Sequence, residues 1–252
     1  MTTETPTNYD YDQAWEERWD DMKRYGPYSR HVRRWIHNFI EPLDFTSVLD
    51  VGCGQGETLK EIVATYPNVT AIGGVDYSQA SVDITRQRLG QGEYHAVDLQ
   101  TDDMFTRFEQ QYDLTISVDV MEHIEDDVAA LRNMRRMTRK FAVIGTVQGT
   151  HLPDWERDVV GHVRNYQRGE LVEKMQSVGF EIDRVVEWGF PFYSPLYRWY
   201  LTQTGGASDQ TDGTYGPWRK FLATSIYNLF LLNSDRRGDL IFVLAHPAPD
   251  AN

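Results

Sequence analysis

The sequence has a single cysteine, few lysines and no run of about eighteen consecutive apolar residues of the kind that spans a bilayer. One cysteine, Cys53, excludes an internal disulfide and any multi-cysteine metal centre, and its place between glycines reads as a small loop filler. Basic charge is also short: 25 Lys and Arg against 38 Asp and Glu leave a formal net charge of −13. So acidic a surface repels phosphate backbones and anionic lipid, which argues against nucleic acid or a membrane and favours small molecules as partners. The opening MTTETPTNYDYDQ lacks the basic-then-apolar order of a secretory leader, so a cytoplasmic location is expected. Internal repeats are absent.

What is present is enough for one substantial core, since 252 residues are 40% hydrophobic and 13% aromatic and no linker splits them into comparable halves. The expected division is an N-terminal helical cap over 1–44 and a main domain over 45–252. In the cap, Trp15, Trp19 and Met22 share one helical stripe, and Val32, Trp35, Ile36, Phe39 and Ile40 form a second. From Thr46 the pattern alternates short β-branched runs (SVLDVG, VTAIGGVD, EYHAVD, YDLTISVDV, KFAVIGTV) with helical ones. That order predicts an α/β fold with a mostly parallel sheet covered by helices on both faces. A helix through Leu171, Met175 and Val178 stops at Gly179, and EIDRVVEWGF and DLIFVLAHP supply the last strands. An aromatic-rich insertion, 191–237, separates those two, with a centre TGGASDQTDGTYG that reads as flexible and a helix-like run from Trp218 to Phe230.

The stretch VLDVGCGQGETL places Gly52, Gly54 and Gly56 in the first strand-to-helix turn, where an open α/β sheet binds its ligand. Without Cβ atoms the chain bends sharply and approaches a ligand closely. The spacing G-x-G-x-G is neither the G-x-G-x-x-G of dinucleotide enzymes nor a P-loop. Asp50, Asp76, Asp98 and Asp119 each end one of the first four strands. A ring of carboxylates repels a pyrophosphate but suits a ligand with a ribose diol, an adenine amino group and two cationic centres, such as S-adenosylmethionine.

The order VLDVGCGQGE, GGVDYS, YHAVDL and YDLTISVDVMEHI resembles class I S-adenosylmethionine-dependent methyltransferases from about Phe45 to Val147, and GHVRNYQRGELVEKMQSVGF and EWGFPFYSPLYR are similar to stretches in their bacterial small-molecule members. The resemblance implies a Rossmann-like fold with a seven-stranded sheet and methyl transfer to a small molecule. By the same resemblance Gly52, Gly54 and Gly56 shape the wall against methionine and ribose, with Asp50 supporting the loop. Asp76 accepts the ribose hydroxyls, Tyr77 lies beside the adenine, Asp98 takes the adenine amino group with Leu99 near the ring, and Asp119 and Val120 lie near the methionyl amine.

Further candidates come from position. Arg30 in the cap is placed to pair with the methionyl carboxylate. His151 and His162, after the fifth strand, are candidate bases for a hydroxyl acceptor. His123, Tyr166, Tyr193 and Tyr197 are candidate acceptor contacts, the insertion acting as lid or pocket for a hydrophobic or ring-shaped body. HVRNY and MEHIEDD are too loosely spaced for metal ligands, so no metal is expected. An NAD-dependent enzyme and a non-catalytic binding module remain as alternatives, and the chain is expected to be a monomer or homodimer.

Overall fold

The computed structural model describes residues 20–101, 105–149, 152–203 and 214–249. Trp15, Trp19, His151 and most of the glycine-rich centre of the insertion lie outside the described residues. Among the described residues two helices, α1 (Asp20–Tyr25) and α2 (Pro27–Ile40), precede the sheet. Gly26 and Pro27 divide them: proline has no N–H to lose at a first helical position, so it starts α2 where α1 stops. The chain then runs β1 (Ser47–Val51), α3 (Glu57–Thr65), β2 (Ala71–Asp76), α4 (Gln79–Leu89), β3 (Glu93–Ala96), β4 (Tyr112–Val118), α5 (Asp127–Met137), β5 (Thr138–Val147), α6 (Glu170–Ser177), β6 (Phe180–Trp188), α7 (Arg198–Gln203), α8 (Pro217–Phe230) and β7 (Leu240–Pro247).

The seven strands form one sheet in the order β3-β2-β1-β4-β5-β7-β6. β1 to β5 pair in parallel, while β7 is antiparallel to both β5 and β6. Strand side chains alternate between faces, and the core divides accordingly. Val48, Leu114, Ile116, Val143, Phe242 and Leu244 meet Trp35, Ile36, Phe39 and Ile40 of α2 and Leu59 and Ile62 of α3 on one side. Leu49, Val51, Ala142, Ile144, Ile241 and Val243 meet Leu131, Met134 and Met137 of α5 and Leu171 and Met175 of α6 on the other.

The insertion packs against the first of these faces. Phe192–Tyr197 is a wide π-type turn, and Tyr193 stacks on Trp188 of β6 at 5.4 Å between ring centroids. α8 lies beside α2, where the His31 ring nitrogen Nε2 sits 2.9 Å from the Tyr227 carbonyl. The helical run read from the sequence is there, but only Ala223 and Phe230 of α8 are buried, and Trp218, Phe221 and Leu222 remain exposed. Among the described residues no helix is long and apolar enough to cross a membrane.

Candidate active site

β1, β2 and β4 are neighbours, and the turns leaving their carboxyl ends converge. The turn after β1 carries Gly52, Gly54 and Gly56 at φ +85°, +51° and +75°, a region that L side chains rarely adopt. Close packing fixes it as well. A Cβ built on Gly52 falls 2.1 Å from Cγ2 of Val120, so the turn reaches the loop after β4 only without a side chain there. A Cβ on Gly56 meets Thr85 of α4 at 2.9 Å. Thr85 also clamps the loop by donating to the Gly54 carbonyl at 2.7 Å. Cys53 is buried in the loop, with its Sγ 3.0 Å from where a Gly74 Cβ would stand, which agrees with a filler role.

Asp76 ends β2 and faces this loop. Its Oδ2 accepts the Gly54 N–H at 2.8 Å and its Oδ1 accepts the Ser78 N–H at 2.9 Å, so one carboxylate fastens the glycine turn to the start of α4. An ionised carboxylate has about four lone-pair sites, so these backbone bonds leave room for a hydroxyl donor. Burial raises the Asp76 carboxyl from its ordinary range, against the pull of those backbone hydrogen bonds. Asp50, 5% exposed within β1, is pushed up to about 8 by burial and then by the charge of Asp76. The Asp50 carboxyl is therefore mainly neutral at pH 7, and the ring of four like charges read from the sequence is weaker than four.

Tyr77, 71% exposed, presents its ring beside Asp76. Asp98 follows β3, where its Oδ1 accepts the Gln100 N–H at 2.9 Å, and Leu99 is buried beside it. Asp119 follows β4 at φ +59°, a left-handed conformation unusual for a residue with a side chain. The cap closes onto this corner: Tyr28 Oη donates to Asp119 Oδ1 at 2.5 Å and Lys23 Nζ stands 3.6 Å from Oδ2. Lys23 is the cation of the cap at this place, a residue that the sequence reading passed over. Arg30 is turned to α8 instead, its guanidinium 3.8 Å from the Tyr227 ring centroid and 3.5 Å from Thr224 Oγ1. The structure does not bring Arg30 to the methionyl end of the site, because the one-turn register of α2 points it at the insertion.

A second group lies where the loops after β4 and β5 meet. Glu122, 1% exposed, accepts from Thr146 Oγ1 at 2.7 Å, and burial pushes its carboxyl up. His123 Nδ1 lies 3.0 Å from the Gly161 carbonyl, and burial lowers the ring to about 3. His162 meets His123 edge-on with centroids 4.8 Å apart. Behind it stands Glu156, ion-paired with Arg198 of α7. Tyr166 is fully buried, donating to Asp127 at 2.6 Å, and this packing leaves it no face for an acceptor. Tyr193 is 6% exposed, stacked between Trp188 and Tyr28, while Tyr197 is half-buried beside it.

The glycine cradle, the strand-end carboxylates and the exposed Tyr77 fit an adenosyl ligand, and the seven-stranded sheet is that of a Rossmann-like methyltransferase fold. Comparison with known proteins agrees. Residues 49–144 match the family described as a methyltransferase domain. The ubiquinone biosynthesis O-methyltransferase of Bordetella avium (strain 197N) is 31% identical over 102 residues, 39% of this chain and 40% of that protein. The match thus spans less than half the length of this curated relative. Among solved structures, the complex between the Haloferax volcanii Trm112 methyltransferase activator and a methyltransferase gives a TM-score of 0.64 at 14% identity, over 96% of this chain and 100% of the matched one. Phosphoethanolamine N-methyltransferase 2 of Haemonchus contortus, in complex with phosphomonomethylethanolamine and S-adenosylhomocysteine, gives 0.63 at 16% identity, over 97% of this chain and 59% of that one. At these identities the structural likeness speaks for the fold.

Proposed function

We propose that the chain transfers a methyl group from S-adenosylmethionine to a small-molecule acceptor held between the cap (1–44) and the 191–237 insertion. The observation that carries this reading is the Gly52–Gly56 turn, bare of side chains against Val120 and fastened to Asp76 at the carboxyl ends of β1 and β2. Gly52, Gly54 and Gly56 line the cofactor, with Asp50 below them; Asp76 takes the ribose hydroxyls, Tyr77 and Leu99 flank the adenine and Asp98 takes its amino group. Asp119 and the Val120 backbone hold the methionyl amine, and Lys23 is the cation nearest to them.

When bound, the cofactor supplies a methyl group already activated by a sulfonium charge, so the protein's task is to align the acceptor lone pair and exclude water. Tyr28 and Tyr197, with the buried Tyr193 packed behind them, form an aromatic wall that suits a hydrophobic or ring-shaped acceptor. The formal charge of −13 speaks against a polyanionic acceptor. The outer part of the insertion supports a different role, since the exposed Trp199, Trp218, Phe221 and Leu232 suit contact with a protein rather than an acceptor wall.

The test incubates the protein with S-adenosylmethionine labelled in its methyl group and a small-molecule extract, and identifies labelled metabolites. Tyr197→Ala is expected to lower turnover of the labelled acceptor while calorimetric affinity for S-adenosylhomocysteine stays at the wild-type value. Absence of binding to either adenosyl ligand in a folded wild-type protein overturns the proposal.

A further inference from the structure

Glu122 and His123 sit in the loop after β4, and His162 arrives from the segment after β5, 39 positions later in the chain. One ligand-capable atom of each lies within 4.8 Å of the other two, close to the spacing of donors that share one ion. The surroundings point the same way. With Nδ1–H of His123 donating to the Gly161 carbonyl, the ring's lone pair is carried on Nε2. Thr146 orients the Glu122 carboxylate by its hydrogen bond. His162, 7% exposed, has Nδ1 without a hydrogen-bond partner among the described residues, the nearest carboxylate oxygen, Glu156 Oε2, standing 3.8 Å away. A buried polar ring nitrogen left so is costly, and a cation bound through the opposite nitrogen would draw Nδ1–H towards Glu156, as carboxylates support metal-bound imidazoles elsewhere.

We propose that Glu122, His123 and His162 bind one divalent first-row transition cation beside the cofactor wall. Two imidazoles and one carboxylate suit such an ion better than magnesium or calcium, which take all-oxygen shells. The charge around the group is compatible: Asp119 and Glu156 flank it on two sides, while Lys23 and Arg198 are already paired with those same two carboxylates. Three protein ligands would leave coordination positions open, and His123 follows Asp119 and Val120 in the same loop, its N–H donating to the Val120 carbonyl. Resting on the methyltransferase reading, this makes the acceptor an oxygen donor, a hydroxyl that the cation would hold and whose proton it would make easier to remove. The MEHI spacing hides the site in sequence because its third ligand comes from another loop.

The experiment titrates the metal-stripped full-length protein with ZnCl2, MnCl2 and MgCl2 without adenosyl ligand or acceptor, and separately with S-adenosylhomocysteine. One equivalent of Zn2+ is expected to bind, with a rise in melting temperature, and MgCl2 at the same concentration to bind at least tenfold more weakly. His162→Ala and Glu122→Gln are expected each to weaken Zn2+ by about tenfold or more. CoCl2 added to the wild-type protein gives visible absorption bands of an imidazole-ligated ion, a readout that needs no variant to fold. Wild-type protein that takes up neither Zn2+ nor Co2+ stoichiometrically overturns the site, as does a folded His162→Ala variant with unchanged Zn2+ affinity. Because the adenosyl titration is independent, loss of the metal site and loss of the methyltransferase reading are told apart.

Discussion

Tyr28 of the cap and Asp119 at the end of β4 are joined by a 2.5 Å hydrogen bond across 91 positions of sequence. It ties the N-terminal helices to the one non-glycine strand-end residue in the site held at positive φ. Tyr28→Phe keeps the stack on Tyr193 and removes only the hydroxyl. The expected cost is about 1.5 kcal/mol, the lower end for a bond to a charged acceptor because Asp119 keeps some contact with water. Urea denaturation measures it, and an unchanged midpoint would show the cap to be docked by its apolar face alone.

Asp76→Ala removes the acceptor of the backbone N–H groups of Gly54, Tyr77 and Ser78, and so loosens the glycine turn. Folding stability is expected to fall by about 1.5–3 kcal/mol and affinity for S-adenosylhomocysteine by more than about tenfold. Chemical denaturation and calorimetry read the two effects separately. Full affinity in the variant would remove Asp76 from the ribose role.

Gly52→Ala faces two separate obstacles, φ at +85° and a Cβ 2.1 Å from Val120 Cγ2. Gly169, at φ +86° with nothing within 4 Å of its Cβ position, isolates the first. Gly169→Ala should therefore cost about 1 kcal/mol, the usual preference for glycine in the left-handed region, and Gly52→Ala a further 1–3 kcal/mol or so for overpacking. Pairing Gly52→Ala with Val120→Ala should recover part of the second cost only. Additive losses in that double-mutant cycle would mean the two loops yield to each other freely.

His31 is fully buried, its Nε2 against the Tyr227 carbonyl and its Nδ1 accepting from Arg34 Nε at 3.2 Å, an arrangement for the neutral ring. Burial lowers it to about 4. The unfolded chain, titrating near 6.5, binds this proton first, so stability from His31 is complete above about pH 6.5 and is lost as the pH falls towards 4. The loss is on the order of 3 kcal/mol. His31→Gln retains a donor for Tyr227 and does not titrate, so the difference between its stability profile and the wild-type one should slope only across that window. A parallel pair of profiles would contradict the assignment.

The alternation of strands and helices was legible because strands of a parallel sheet are buried on both faces, which makes runs such as SVLDV and AVIGTV mostly apolar without alternation. The glycine turn was legible for the same local reason: only glycine serves at Gly52. What escaped depends on rotation and on distant loops. Lys23 and Arg30 are both cap cations seven residues apart, and only the docking of α1 and α2 decides which one meets Asp119. Tyr166 resembles an acceptor contact in sequence, yet its hydroxyl is bound to Asp127, 39 positions earlier. In α8 the helical run was legible but not its orientation: the helix keeps Phe221 and Leu222 in the open.

The strand order carries one consequence for how the chain is made. β6 pairs with β7 alone, and β7 lies between β6 and β5. A nascent chain emerging from the ribosome can assemble β1 to β5, and with them the glycine turn, while β6 still waits for its pairing strand. Until residues 240–247 are synthesised, the β5 edge stays open and Phe242's place between Trp35 and Gly145 is vacant. The side formed by the insertion is thus the last part to be built, on a glycine-turn side that is already in place.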